Sequence, residues 1–317
     1  MPGTLPGGAT LRAGDTGWVV LEDQLGTSLG RALVWSQRES VAALNVVVDD
    51  PTAAGVLARR AGAFAPSPRV WRVEGRDLVP ADPAPVPAPM EPPAVARELV
   101  GMLRDAGVEV IVEHGEILGE VLGLEVARVI VDPIPVEGAP PARIEVGVGR
   151  HDREAFAMLH GDLATPEALA AVVDEVRAHR SADAEAHPLG RIAAERWLRS
   201  KIIGDPGAVG AARLRPAEPT VARDSLKDVM PAIAVGDDDH GAVVVACSVG
   251  IDLDLVPAAA DARLVHAPGA RLVVVVPERD DHPVTRRLAA ALDEPAEIVT
   301  VPADWRRVGA RGPGGAS

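Results

Sequence analysis

Residues 241–303 read GAVVVACSVGIDLDLVPAAADARLVHAPGARLVVVVPERDDHPVTRRLAAALDEPAEIVTVPA. Three runs, Ala242–Cys247, Arg271–Val276 and Glu297–Val301, are short, β-branched and too continuously apolar for an exposed edge, which predicts buried strands of a parallel sheet. Between the second and third, Pro283–Leu292 carries Val284, Leu288 and Leu292 at helical spacing, behind a proline whose missing N–H is harmless in a first turn. The pattern is a βαβ unit. Between the first two, Ile251, Leu253 and Leu255 alternate with Asp252 and Asp254 before Pro257 and an Ala-rich run to His266. We expect a loop and then a helix there, with a β-hairpin as the alternative.

The N-terminal region repeats the pattern. Trp18–Leu21, Leu44–Val48 and Val70–Val73 read as strands. A helix capped by Ser28 carries Leu29, Ala32, Leu33 and Ser36, and a helix opened by Pro51 carries Leu57, Ala61 and Phe64. VVVDDP at 46–51 echoes VVVVPERDDHP at 273–283. The sequence therefore predicts an α/β protein with two Rossmann-like βαβαβ units, at 16–80 and 236–308. Residues 1–15 read as a disordered Gly/Pro-rich tail, and 309–317 as another. The segment 81–93, ADPAPVPAPMEPP, supports neither helix nor ladder and reads as an extended linker.

Beyond the linker, 94–235 reads as a central α+β unit with a helical extension. Val95, Leu99, Met102 and Leu103 define a helix ended by Gly107. Val108–Glu113, Val121–Val131 and Arg143–Val148 read as strands, and Leu169, Val172, Val173 and Val176 mark one side of a further helix. The order is α-β-β-β-α. Residues from Leu189 to about Val235 read as a helix carrying Trp197 and a loop-rich crossing.

Composition limits the function classes. The 317 residues suffice for two or three units. The Lys+Arg total of 32 contains only two lysines, Lys201 and Lys227, a bias that a GC-rich coding sequence produces by itself. A net charge of −14, with no Tyr and two Phe, argues against a long phosphate-tracking or base-stacking surface. A small phosphorylated ligand or nucleic acid is expected only at a local site. The single cysteine, Cys247, fits a reducing compartment, and no signal-like or membrane-spanning run is present, so a cytoplasmic protein without membrane contact is expected.

GLEVARV at 123–129, GVGRHDREAFAMLHGD at 147–162, ERWLR at 195–199 and CSVGIDLDLVPAAADAR at 247–263 together resemble a family of uncharacterised actinobacterial proteins; the resemblance implies no activity. The central α-β-β-β-α segment also resembles the restriction-endonuclease-like nuclease superfamily. That resemblance implies a metal site with Glu125 and Glu145 as its acids and Glu98 as a helix acid. The family's Glu-x-Lys lysine is replaced by Gly147.

Strand alternation puts Glu125 on one face with Val121, Ala127, Val129 and Val131, and Arg128 on the other, so both charges interrupt apolar runs. Either Glu125 is a carboxylate held dry for metal binding or proton transfer, or it belongs to an internal ion pair. His151, Asp152, His160 and Asp162 are possible metal ligands, although their spacing fits no closed zinc pattern and a solvated loop is the alternative. Gly147 and Gly149 form a GxG without the following helix of a dinucleotide fingerprint, so no nicotinamide or flavin cofactor is indicated.

The loops after Cys247 and Val276 are expected side by side at the carboxyl edge of the sheet. That edge would gather Asp252, Asp254, Glu278 and Asp281 as ligands of Mg²⁺ or Mn²⁺, Arg279 as a phosphate-binding residue and His282 as a proton-transfer group. The alternative is that these aspartates cap helices and offset dipoles. Two functions follow: a metal-dependent enzyme acting on a phosphate ester, related to the nuclease-like core, or a catalytically silent binding or interaction protein.

Overall fold

The computed structural model describes residues 1–22, 28–132, 140–149, 166–181, 184, 187–222 and 230–307. In chain order, strands β1 (Pro2–Leu5), β2 (Gly8–Ala13) and β3 (Thr16–Leu21) precede helix α1 (Leu29–Glu39), β4 (Ala43–Val48), α2 (Pro51–Ala61), β5 (Arg69–Glu74) and β6 (Asp77–Pro80). Next come α3 (Ala94–Arg97), α4 (Val100–Asp105), β7 (Glu109–Glu113), β8 (Glu116–Val121), β9 (Leu124–Val131), β10 (Ala142–Val146), α5 (Pro166–His179), α6 (Ala194–Gly204), β11 (Arg213–Ala217) and β12 (Ala232–Asp238). The last elements are β13 (Gly241–Cys247), α7 (Leu255–His266), β14 (Arg271–Pro277), α8 (Pro283–Ala290) and β15 (Glu297–Val301). The fold is α/β. No helix among the described residues is long and apolar enough to cross a membrane.

The chain forms two compact units, Met1–Pro87 with Asp237–Val301, and Ala88–Gly236 with Pro302–Ser317. The two βαβαβ segments belong to one unit, and the central region is inserted between them in the chain.

In the first unit, β3, β4 and β5 pair in parallel, as do β13, β14 and β15. Their apolar runs explain this, because Val46, Val48, Val273 and Val275 are buried, as strands covered by crossover helices must be. The helix starts follow local chemistry. Asp50 accepts a hydrogen bond from the Ala53 N–H at 2.8 Å ahead of Pro51, and His282 Nδ1 accepts one from the Val284 N–H at 3.2 Å ahead of Pro283. The alternation at 251–255 is loop, and the helix begins at Leu255, so the hairpin alternative does not occur.

Residues 1–15, expected as a tail, instead form β1, β2 and the turn into β3. Gly7 and Gly14, at φ 72° and 61°, take the left-handed conformations that such turns require. With β6 added at the far side, the first sheet has six strands in sequential order, and every pairing outside β3–β4–β5 is antiparallel.

The two βαβαβ segments meet through their helices at equivalent positions. Phe64, after α2, and Leu292, after α8, form an isolated antiparallel bridge flanked by Ala65 N–H to Ala291 O at 3.0 Å and Asp293 N–H to Ala63 O at 2.9 Å. Asp261 of α7, fully buried, receives Arg59 Nε at 2.7 Å and Arg60 Nε at 3.2 Å from α2.

The second unit contains four antiparallel strands in the order β10-β9-β8-β7, where three were expected. The predicted strand Val121–Val131 is broken at Leu122–Gly123, with φ 49° and 76°, and His114–Gly115, with φ 51° and 79°, makes a second such turn. Two consecutive left-handed residues are the signature of tight hairpins. The expected first helix is likewise split into α3 and α4. Leu103, Leu169, Val173 and Val176 pack with Ile117, Val126, Val129 and Ile144 to form the core. The expected crossing beyond Leu189 is also more ordered than foreseen, because it contains β11 and β12. The tail at 309–317 lies outside the described residues.

Candidate functional site

The carboxyl ends of β13 and β14 lie side by side as expected. The Gly250 N–H, in the loop after β13, donates to Asp280 Oδ2 after β14 at 2.8 Å. In the first loop Asp252 Oδ1 accepts the Asp254 N–H at 2.9 Å, a local turn that orders the approach to α7. Asp254 stands at the N-terminus of α7 but serves a different helix: its Oδ1 accepts the Gly30 N–H of α1 at 3.0 Å. The two first turns touch there. A Cβ on Gly30 would lie 1.9 Å from the Leu253 carbonyl oxygen, so only glycine allows the approach.

Asp254 is buried, and burial pushes its carboxyl up to about 7. The Gly30 N–H pulls it down, the charge of Asp252 pushes it up, and the guanidiniums of Arg60 and Arg31 pull it down. Burial also raises Asp252, against the Asp254 N–H and Arg60. A carboxyl that exchanges its proton near neutrality, set between two helix N-termini, has the acid–base character expected of a functional group. Ser248, directly after β13, is fully buried, and among the described residues its Oγ has no hydrogen-bond partner.

The remaining predicted residues do not join this pair. Asp281 turns to Arg286 in a bidentate contact at 2.8 and 2.7 Å. His282 uses Nδ1 as the α8 cap. Glu278 and Arg279 are exposed in a 3₁₀ turn, with Arg279 Nε 3.7 Å from Asp280. Asp280, which sequence reasoning passed over, links the two loops. Among the described residues no group of three or more His, Cys, Asp or Glu side chains is placed to hold a metal ion.

In the second unit, Glu125 is 1% exposed and bound by both ends of Arg128, at 2.9 and 3.0 Å. The predicted opposite-face placement of these two residues is incorrect because of a β-bulge. Pairing steps from Gly119↔Ala127 to Glu120↔Glu125, leaving Val126 unopposed and turning Glu125 to the Arg128 side. Glu145 accepts from Arg143 at 2.9 Å, and Arg143 also binds both oxygens of Asp132. His151, Asp152, His160 and Asp162 lie outside the described residues.

The same sheet carries a buried network that sequence reasoning missed. Glu120 receives Arg196 and, at 2.7 Å, Arg199; Arg196 also reaches Glu113 at 2.6 Å. Burial works against the charge of Arg196, but Glu120 and Glu113 outweigh it and raise its pKa. Arg180, lowered to about 10 chiefly by burial, donates to the carbonyls of Leu122, Leu189 and Ile192 and lies 5.0 Å from the Trp197 ring centre. The available signal was glutamate on one face of successive strands in EVIVEHGEILGE, answered by Arg196 and Arg199 one helical turn apart.

No protein-family model matches this chain, and no curated protein or solved structure is significantly similar to it.

Proposed function

We propose that this chain is a binding or protein-interaction protein on a Rossmann-like scaffold, without bond-making chemistry of its own, working in a cytoplasmic setting. The observation that carries this reading is that most of the candidate reactive side chains already hold a structural bond. Glu125 pairs with Arg128, Glu145 with Arg143 and Asp281 with Arg286, while Asp254 binds the Gly30 amide and His282 caps α8. To bind a hard cation, such a carboxylate must first release its partner, and stripping a buried carboxylate from its arginine costs about 3–5 kcal/mol.

A second reading is favoured by the adjacency of the two loops and the raised Asp252 and Asp254. It is a metal-dependent enzyme acting on a phosphate ester, with Mg²⁺ or Mn²⁺ at the Asp252 and Asp254 pair and the phosphate at Arg279. Thermal melts with and without each cation separate the two. On the binding reading neither cation changes the melting temperature. A rise that disappears in the Asp252→Asn, Asp254→Asn double variant overturns it in favour of the enzyme.

A further inference from the structure

Among the described residues, helices cover only one face of the six-stranded sheet. Pairing register assigns Val19, Leu21, Val46, Val48 and Val70 to the helix-bearing face, where they are buried. The opposite face carries Leu11, Trp18, Val20, Trp71, Val73 and Leu78. Four of these, Leu11, Val20, Val73 and Leu78, are 44, 37, 36 and 43% exposed. The two indoles sit 6.0 Å apart over the middle of the sheet, and Trp71 Nε1 donates to the buried Asn45 Oδ1 at 2.8 Å. The centre of the face is therefore rigid and its margin apolar.

Its charge distribution is the reverse of that of a solvated sheet face. Arg12, Arg72, Glu74 and Asp77 all alternate to the helix-bearing side, and Arg69 is the one charged residue that the six strands place on the open side. In a chain with a net charge of −14, a face this poor in charge and holding two Trp has the composition of an interface centre. The edges are closed to extension by another strand: β1 and β6 have four residues each, with Pro2 and Pro80 among them. That leaves face-to-face packing.

We infer that this open face is the contact through which two copies of the chain form an isologous, sheet-on-sheet dimer. For two copies of a chain with net charge −14, a charge-poor face is where local repulsion is least, and this face supplies that place. A nucleic-acid strand would need cations along the face, and Arg69 alone does not provide them. The size also fits. Six strands about 4.8 Å apart and about 20 Å long give roughly 500 Å² in projection, and side-chain relief brings the accessible area towards the ~800 Å² per partner of a stable association. This inference goes beyond the reading proposed above and holds whether or not the chain proves catalytic.

The test is sedimentation velocity with light scattering on the full chain across a concentration series. The wild type is expected to dimerise. Leu78→Glu and Val20→Glu, singly and together, are expected to weaken association on the order of 100-fold or more while keeping the circular dichroism and melting profile of a folded protein. Leu78→Ala gives a milder reading if a glutamate variant does not fold. Met90→Glu, an exposed position in the other unit, is expected to leave the dimer intact. A wild type that stays monomeric at every concentration overturns the inference. So does a dimer that survives the folded face variants, or an oligonucleotide that quenches Trp fluorescence in the monomer. None of these outcomes bears on the cation melts, so failure of one idea is separable from failure of the other.

Discussion

At the scale of single residues, Asp254 carries the clearest consequence. An aspartate in an unfolded chain titrates near 4, whereas in the fold Asp254 is pushed up to about 7. The folded state therefore holds this proton more tightly than the unfolded chain does. Its contribution to stability is fully present below about pH 4, declines as the pH rises from about 4 to about 7, and is flat above that. Asp254→Asn keeps an oxygen for the Gly30 N–H and removes the titration. Denaturant melts are therefore expected to show the variant gaining on the wild type as the pH rises from 5 to 8, by a difference on the order of 2.5 kcal/mol over that range if the whole shift is realised. Parallel pH curves would show that Asp254 is not held protonated. This role was invisible in the sequence because Gly30 lies 224 residues away. The Asp50 and His282 caps act within three residues of themselves, yet Asp50 was assigned no cap role and His282 was expected as a proton-transfer group.

Among the elements, the sheet of the second unit gives the sharpest contrast between pattern and outcome. Alternation located β7, β9 and β10 but passed over β8 and started the next strand at Val121, because Leu122–Gly123 turns the chain with a non-glycine residue at positive φ. It also set Glu125 on the wrong face, since a bulge inserts one residue without changing composition or hydrophobicity. A dry reactive carboxylate and an ion-paired one look identical in sequence; only the register distinguishes them. The Glu120 network is expected to matter for stability. Glu120→Ala leaves Arg196 and Arg199 buried without their shared acceptor, and chemical denaturation is expected to register a loss of about 3–5 kcal/mol. Replacing all three with apolar residues of similar volume is expected to recover most of it, and a small effect from Glu120→Ala alone would mean that water screens the site.

On the scale of the whole molecule, the first unit is assembled from two distant stretches of chain. The echo between VVVDDP and VVVVPERDDHP marked two similar segments, but nothing local could say that their helices meet, because that is decided by Asp261 against Arg59 and Arg60 and by the Phe64–Leu292 bridge. One cut in the exposed, Pro-rich segment 81–93 is therefore expected to leave both fragments together on native size-exclusion chromatography and to release them only in denaturant. Separation under native conditions would show that the helix contacts do not hold the halves. The same discontinuity sets a timetable during synthesis. After residues 1–87 have emerged, the roughly 150 residues of the insertion take on the order of 10–30 s to translate before the segment that completes the unit appears. Throughout that interval the nascent N-terminal half exposes apolar helix surface on one side and the open sheet face on the other. The ribosome-bound chain is thus a natural client for a holding chaperone, and two neighbouring ribosomes on one message present the halves needed for a domain-swapped pair.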